Sequence, residues 1–125
     1  MNVLLWILQV ALAAAFLAHG LMFLFPPAHL VEVMDASIAR PFRYFLGVAE
    51  VAAAVGLTIP GITRIQPRLV ALAAAGLIPI MVGATVLHAV RGEYGSAGAT
   101  VVLLALLCAV SWLRWRVYPI AAARV

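Results

Sequence analysis

Glu50 is the only acidic residue of this sequence that falls inside a hydrophobic run, the stretch Phe42 to Pro60, FRYFLGVAEVAAAVGLTIP. A carboxyl group in hydrocarbon costs a few kcal/mol even on lenient insertion scales, so it turns to the protein interior or to a wet cavity. His19 and His88 lie near the ends of two other apolar runs, and Arg43 stands seven residues before Glu50, on the same helical face. Gly47 stands one turn above Glu50. Glu and His together can exchange hydrogen bonds or protons with the polar end of an apolar molecule such as a quinone. Two histidines and a carboxylate, His19, His88 and Glu50 with His29 as a fourth ligand, are also a donor set for zinc or iron. No local HxxxH or ExxH spacing asks for a metal, and the quinone-like pocket fits these residues better. Each side chain has a structural alternative. Glu50 can tie helices together, His19 can be an interhelical donor, His88 can sit at the interface, and Arg43 can snorkel to it.

The runs that carry these residues are long. Of 125 residues, 67% are hydrophobic and 10% charged, against about 25% charged in ordinary globular domains. The apolar blocks at residues 3–25, 42–59, 69–90 and 97–114 each suffice to cross a bilayer core of about 30 Å. The reading is an all-α membrane protein, one antiparallel four-helix domain over residues 1–125. The first run has no preceding Lys or Arg and exceeds the roughly 7–15 residues of a signal-peptide core, so it is read as a retained helix. Pro26-Pro27 ends it. Leu30, Met34 and Ile38 then repeat every four residues, predicting a short interfacial helix over residues 28–38. Pro41 suits a first helical turn, Pro60-Gly61 is expected to stop the second span, and Pro79 to be a tolerated kink in the third.

The net charge of +4 comes from eight arginines, placed at the ends of apolar runs rather than in a patch. That is topology marking and excludes nucleic-acid binding. The side with both termini holds Arg64, Arg68, Arg114, Arg116 and Arg124; the other holds Arg40, Arg43 and Arg91. This bias predicts cytoplasmic termini in a bacterial inner membrane. By counting, Glu50 lies about 12 Å and His19 about 9 Å below the opposite, outer boundary. His88 is near that boundary too, so the ionisable groups share the outer half and the inner half offers only Gln9. Small residues three or four apart, such as Ala52 and Gly56 or Ala71 and Ala75, suit close helix packing. The single cysteine, Cys108, excludes an intrachain disulfide and is expected to be a small buried apolar residue.

The order AHGLMFLFPP, RYFLGVAEVAAAVGLTIP and LHAVRGEYG resembles the DoxX-like (DoxX/DoxD-type) membrane proteins, small four-helix chains of bacteria. The typical G-x-x-E falls on Gly47 and Glu50, and the closing H-x-x-R-G-E on His88, Arg91, Gly92 and Glu93. Members commonly carry a basic residue after the first-helix glycine, where this chain has Met22 and Phe23 after Gly20. The family takes its name from a subunit of a thiosulfate:quinone oxidoreductase. The resemblance therefore implies an accessory or quinone-proximal role, with redox-complex subunits or a second copy as partners beside the lipid bilayer. The leading expectation is a site for a quinone-like ligand built from Glu50, His19, His88, Arg43 and Gly47. A proton-coupled exporter and a purely structural assembly subunit are the alternatives. No motif asks for a free-standing enzyme; any activity would belong to a quinone-linked oxidoreductase.

Overall fold

The computed structural model describes residues 1–124, so Val125 lies outside the description. Five α-helices follow one another: α1 (Asn2–Leu24), α2 (Ala28–Ser37), α3 (Arg40–Thr63), α4 (Arg68–Val90) and α5 (Tyr94–Trp112). The last continues into one π-helical turn, Leu113–Val117. The segments α1, α3, α4 and Tyr94–Val117 are long and apolar enough to cross a membrane. The chain is a multi-pass membrane protein of four spans.

The spans pack in a partial ring, α1 along α3, α3 against α4, α4 along α5, with α1 and α5 touching lightly. Small residues set the spacing. A Cβ on Gly20 of α1 would come within 2.9 Å of the Gly47 carbonyl of α3, and one on Gly56 within 2.8 Å of the Ala73 Cβ of α4. The core of Leu5, Leu12, Ala13, Phe16, Ala54, Leu57, Ala74, Leu77, Met81, Leu107 and Val110 fills the middle and the end where the chain begins. Towards the α2 end the buried positions thin out. Those of α4 stop at Met81, and α5 buries only Ala97 above Leu107.

Two expectations change. Pro60 does not stop α3, which runs on to Thr63 and ends at Arg64 with a left-handed φ of 58°. A proline near a helix end forfeits one backbone bond, and a packed bundle tolerates that. Gly61 is instead a contact point, where a Cβ would come within 2.7 Å of the Trp6 ring. Cys108 is exposed on the outer face of α5 rather than buried.

α2 is a different kind of element. None of its residues is buried. Leu30, Val31, Met34, Asp35 and Ile38 form its half-covered face, the expected apolar stripe with one carboxylate in it. Its C-terminal half is moored by polar contacts: the Asp35 carboxylate, and the Ser37 carbonyl, which accepts from Arg91 Nη2 at 2.7 Å.

Candidate functional site: a carboxylate and histidine pair open to one side

The Gly20–Gly47 crossing brings α1 close enough to α3 for their neighbours to meet. His19 Nδ1 lies 2.6 Å from Glu50 Oε2. Glu50 is 1% exposed, whereas the His19 side chain is 45% exposed. Leu5, Leu12 and His19 stand at heptad intervals on one row of α1. The first two are buried and the third is not, so this row leaves the core towards the α2 end. The imidazole also packs on Phe23, with centroids 4.3 Å apart. One ring nitrogen is thereby committed to Glu50. No hydrogen bond occupies the other among the described residues. Glu50 is thus reached through His19.

Arg43 is 1% exposed and does not snorkel outward. It bends back to donate through Nη1 to the Phe23 carbonyl, at the end of α1, and through Nη2 to Asp35 Oδ1 at 3.0 Å. That carbonyl belongs to the last turn of α1, where helix oxygens lack partners of their own. Arg43 lies over the Tyr44 ring at 5.0 Å. Arg40 holds the other Asp35 oxygen through Nη2 and through Nε at 3.0 Å. The Arg40 hydrogen bond, followed by that of Arg43, keeps the Asp35 carboxyl below its ordinary range, against the opposing effect of desolvation. Arg43 therefore bears on the His19–Glu50 pair through Phe23, not by direct contact with Glu50.

His88 departs further from the expected cluster. Its Nδ1 is bonded to the Glu93 carboxylate across the α4–α5 turn, where Gly92 has a φ of 74°. The expected constellation thus resolves into His19 with Glu50, Arg43 with Asp35, and His88 with Glu93. Gly47 serves the helix crossing, its absent side chain leaving room for Leu24 and the Gly20 carbonyl. Among the described residues no three His, Cys, Asp or Glu side chains gather where they could hold one metal ion.

A second polar centre at the opposite end escaped the sequence reading. Arg114, 4% exposed, lies in the π-helical turn and continues the buried face of Leu107 and Val110. It donates to Gln9 Oε1 at 2.9 Å, Asn2 Oδ1 at 2.7 Å and the Tyr118 carbonyl at 3.2 Å. Gln9 in turn donates to the Leu57 carbonyl. The available signal was Asn2 and Gln9, two amides seven residues apart on one face of the first span.

Two shallow grooves open on the surface. One of about 260 Å³ lies between α1 and α3 and is lined by Val10, Ala14, Leu17, Val55, Thr58 and Ile59 among others. The other, about 460 Å³, is lined by Ile78, Cys108, Ser111, Trp112, Trp115 and Arg116. Neither is lined by Glu50 or His19.

Comparison with known proteins gives one match. The model of the family described as DoxX-like covers residues 7–110, which include all four spans in most of their length. No curated protein and no solved structure matches the chain.

Proposed function

The chain belongs to the DoxX-like family, and from that premise we propose that it binds a quinone-like apolar ligand at the His19–Glu50 pair, as an accessory subunit of a membrane redox system. The observation that carries the reading is the pair's asymmetry, a buried carboxylate 2.6 Å from a histidine that is 45% exposed. A purely structural tie between helices has no need for an exposed half. A lipid-soluble ligand arriving from the membrane meets His19 first. With the Nδ1 proton donated to the carboxylate, Nε2 presents a lone pair to a ligand hydroxyl. With both ring nitrogens protonated, it donates to a ligand carbonyl instead. Glu50 fixes the ring orientation in either state, as carboxylates do behind functional histidines. His88 and Arg43 stand outside direct contact, as the braces of the turn and of α2.

We place the protein in a bacterial cytoplasmic membrane with both termini on the cytoplasmic side. The arginine bias supports this, five residues at the terminal end against three at the other.

The test is mass spectrometry of small molecules retained by gently solubilised wild type and Glu50→Gln. The amide oxygen still accepts from Nδ1–H, so the helices stay together while proton exchange with the ring is lost. The expected result is a quinone or similar apolar molecule in the wild type and at least about a tenfold loss in the variant, equivalent to ~1.4 kcal/mol. Equal retention in both removes Glu50 from the site. Only bulk lipid in both, with a partner protein retained, puts the assembly role first. Proton-driven uptake into vesicles that Glu50→Gln abolishes puts the exporter first.

A further inference from the structure

The charge of this protein is distributed unevenly between its two ends. Of its acidic side chains, Glu32, Asp35 and Glu93 lie at the α2 end, where they balance Arg40, Arg43 and Arg91. Glu50 lies within α3. The terminal end holds Arg64, Arg68, Arg114, Arg116 and Arg124 with no Asp or Glu side chain beside them. Among the described residues buried Arg114 meets only amide and carbonyl oxygens, with no carboxylate beside it. On the outer side of the same π-helical turn, Arg116 makes no ion pair among the described residues. Its guanidinium stacks over Trp112 at 5.9 Å.

Arg116 borders the larger groove, about 460 Å³. The groove combines two chemistries. Ile78 and Cys108 line it with apolar surface, while Trp112, Trp115 and Arg116 stand where the last span ends. Both indole rings are well exposed, and their N–H groups have no acceptor among the described residues. Ser111 contributes no spare donor, because its hydroxyl donates to the Ala71 carbonyl at 3.2 Å. Three unpaired donors above an apolar wall match an amphiphile with an anionic oxygen-rich head and a hydrocarbon tail.

We propose that this groove between α4 and α5 is a binding site for one anionic phospholipid. Its phosphate sits against Arg116 and the indole N–H groups of Trp112 and Trp115, and an acyl chain lies along Ile78 and Cys108. Arg114 and the other arginines of this end add a field of the same sign, which draws anionic over zwitterionic lipid. The proposal is independent of the His19–Glu50 pair.

In a Trp6→Phe background, which leaves Trp112 and Trp115 as the tryptophans of the chain, quenching of fluorescence by brominated acyl chains reads the lipid beside these two rings. The purified protein is placed in mixed bilayers in which either phosphatidylglycerol or phosphatidylcholine carries the bromine. Phosphatidylglycerol is expected to be preferred over phosphatidylcholine by roughly fivefold at low salt, the scale set by one basic residue near a membrane surface. Arg116→Gln should bring that preference close to one, Arg116→Lys should retain most of it, and Arg68→Gln, which does not line the groove, should leave it nearly unchanged. Equal quenching by the two lipids in the parent protein overturns the site. So does a preference that Arg116→Gln leaves intact, or one that Arg68→Gln lowers equally, which would mean a diffuse field. Weak quenching by both lipids would mean that a second copy or another helix fills the groove, and overturns it as well.

Discussion

Each end of the bundle buries an arginine, and the two are built alike except in one respect. Arg43 stacks on Tyr44 and caps the Phe23 carbonyl; Arg114 stacks on Trp6 and takes the Tyr118 carbonyl. Each retains one buried nitrogen without a partner, Nε in Arg43 and Nη2 in Arg114. The difference is the remaining acceptor. Arg43 has the Asp35 carboxylate, whereas Arg114 has the side-chain amides of Gln9 and Asn2. A charge pair supplies attraction that survives partial burial, while amides supply only dipoles. The α2 end is thus held by complementary charge around a thin core, and the terminal end by apolar packing around an arginine that meets no carboxylate among the described residues.

Replacing each arginine by methionine, of similar length and no charge, tests that contrast most directly. Arg43→Met leaves the Phe23 carbonyl without its buried donor and Asp35 with Arg40 alone, and is expected to be the more destabilising of the two. Arg114→Met also forfeits hydrogen bonds, but it removes a buried charge that has no counter-charge among the described residues. Its net cost should be about 1 kcal/mol or less. Reversible unfolding in mixed micelles reads both. Equal costs would show that Asp35 adds nothing that the amides do not, and the contrast between the ends would collapse.

Glycine contacts sharpen the same comparison at smaller amplitude. A Cβ at Gly20 would meet the Gly47 carbonyl, which is backbone, and the Glu50 Cβ at 3.1 Å. At Gly61 it would meet the Trp6 ring and Ile120 Cδ1, which are side chains. Gly20→Ala must push α1 from α3 and should cost about 2 kcal/mol, typical of overpacking. It should also separate His19 from Glu50 and so weaken ligand retention in the assay above. Gly61→Ala should cost about half as much, because Trp6 and the chain after Tyr118 can yield. A Gly20→Ala protein as stable as wild type, with its histidine signal unmoved, would remove the crossing from the account of the site.

The sequence exposed the parts of this molecule governed by length and by cost. Four apolar runs long enough for a bilayer must be spans, and a single carboxyl inside one of them must find a partner, so Glu50 was readable while the order of the helices around it was not. The two histidines could not be sorted by the same means. His19 and His88 both count to the outer half, and depth says nothing about direction around a bundle. Glu93 lies five residues from His88 across a glycine turn, a local partner that the count of depth passed over. Arg43 was misjudged because snorkelling is the default for an arginine near a boundary. Here Asp35, on a helix assigned to the surface, offers a carboxylate that the guanidinium reaches at 3.0 Å. Arg114 was invisible for a different reason. It continues the buried row of Leu107 and Val110, one further turn along the same face of α5, but an arginine at the end of an apolar run was assigned to the boundary as a topology marker.

The smallest effect concerns pH, and its sign separates the two ends again. Hydrogen bonds from Arg40 and Arg43 hold the Asp35 carboxyl below its ordinary 3.8. A carboxyl depressed in the folded state contributes stability that is fully present above the unfolded value and is lost as pH falls through the lower folded one. The mooring of α2 should therefore be constant through the neutral range and loosen only below about pH 4. The terminal end has no Asp or Glu side chain and should not follow. Amide exchange of α2 against the last turns of α5, corrected for the intrinsic pH dependence, measures this. Faster α2 exchange in acid, absent in Asp35→Asn because that protein has already lost the charge pair, is the expected outcome. Loosening that begins near pH 6 would assign control of α2 to a histidine, with His88 and its Glu93 bond at the neighbouring turn the first to test, and would take Asp35 out of the role given to it here.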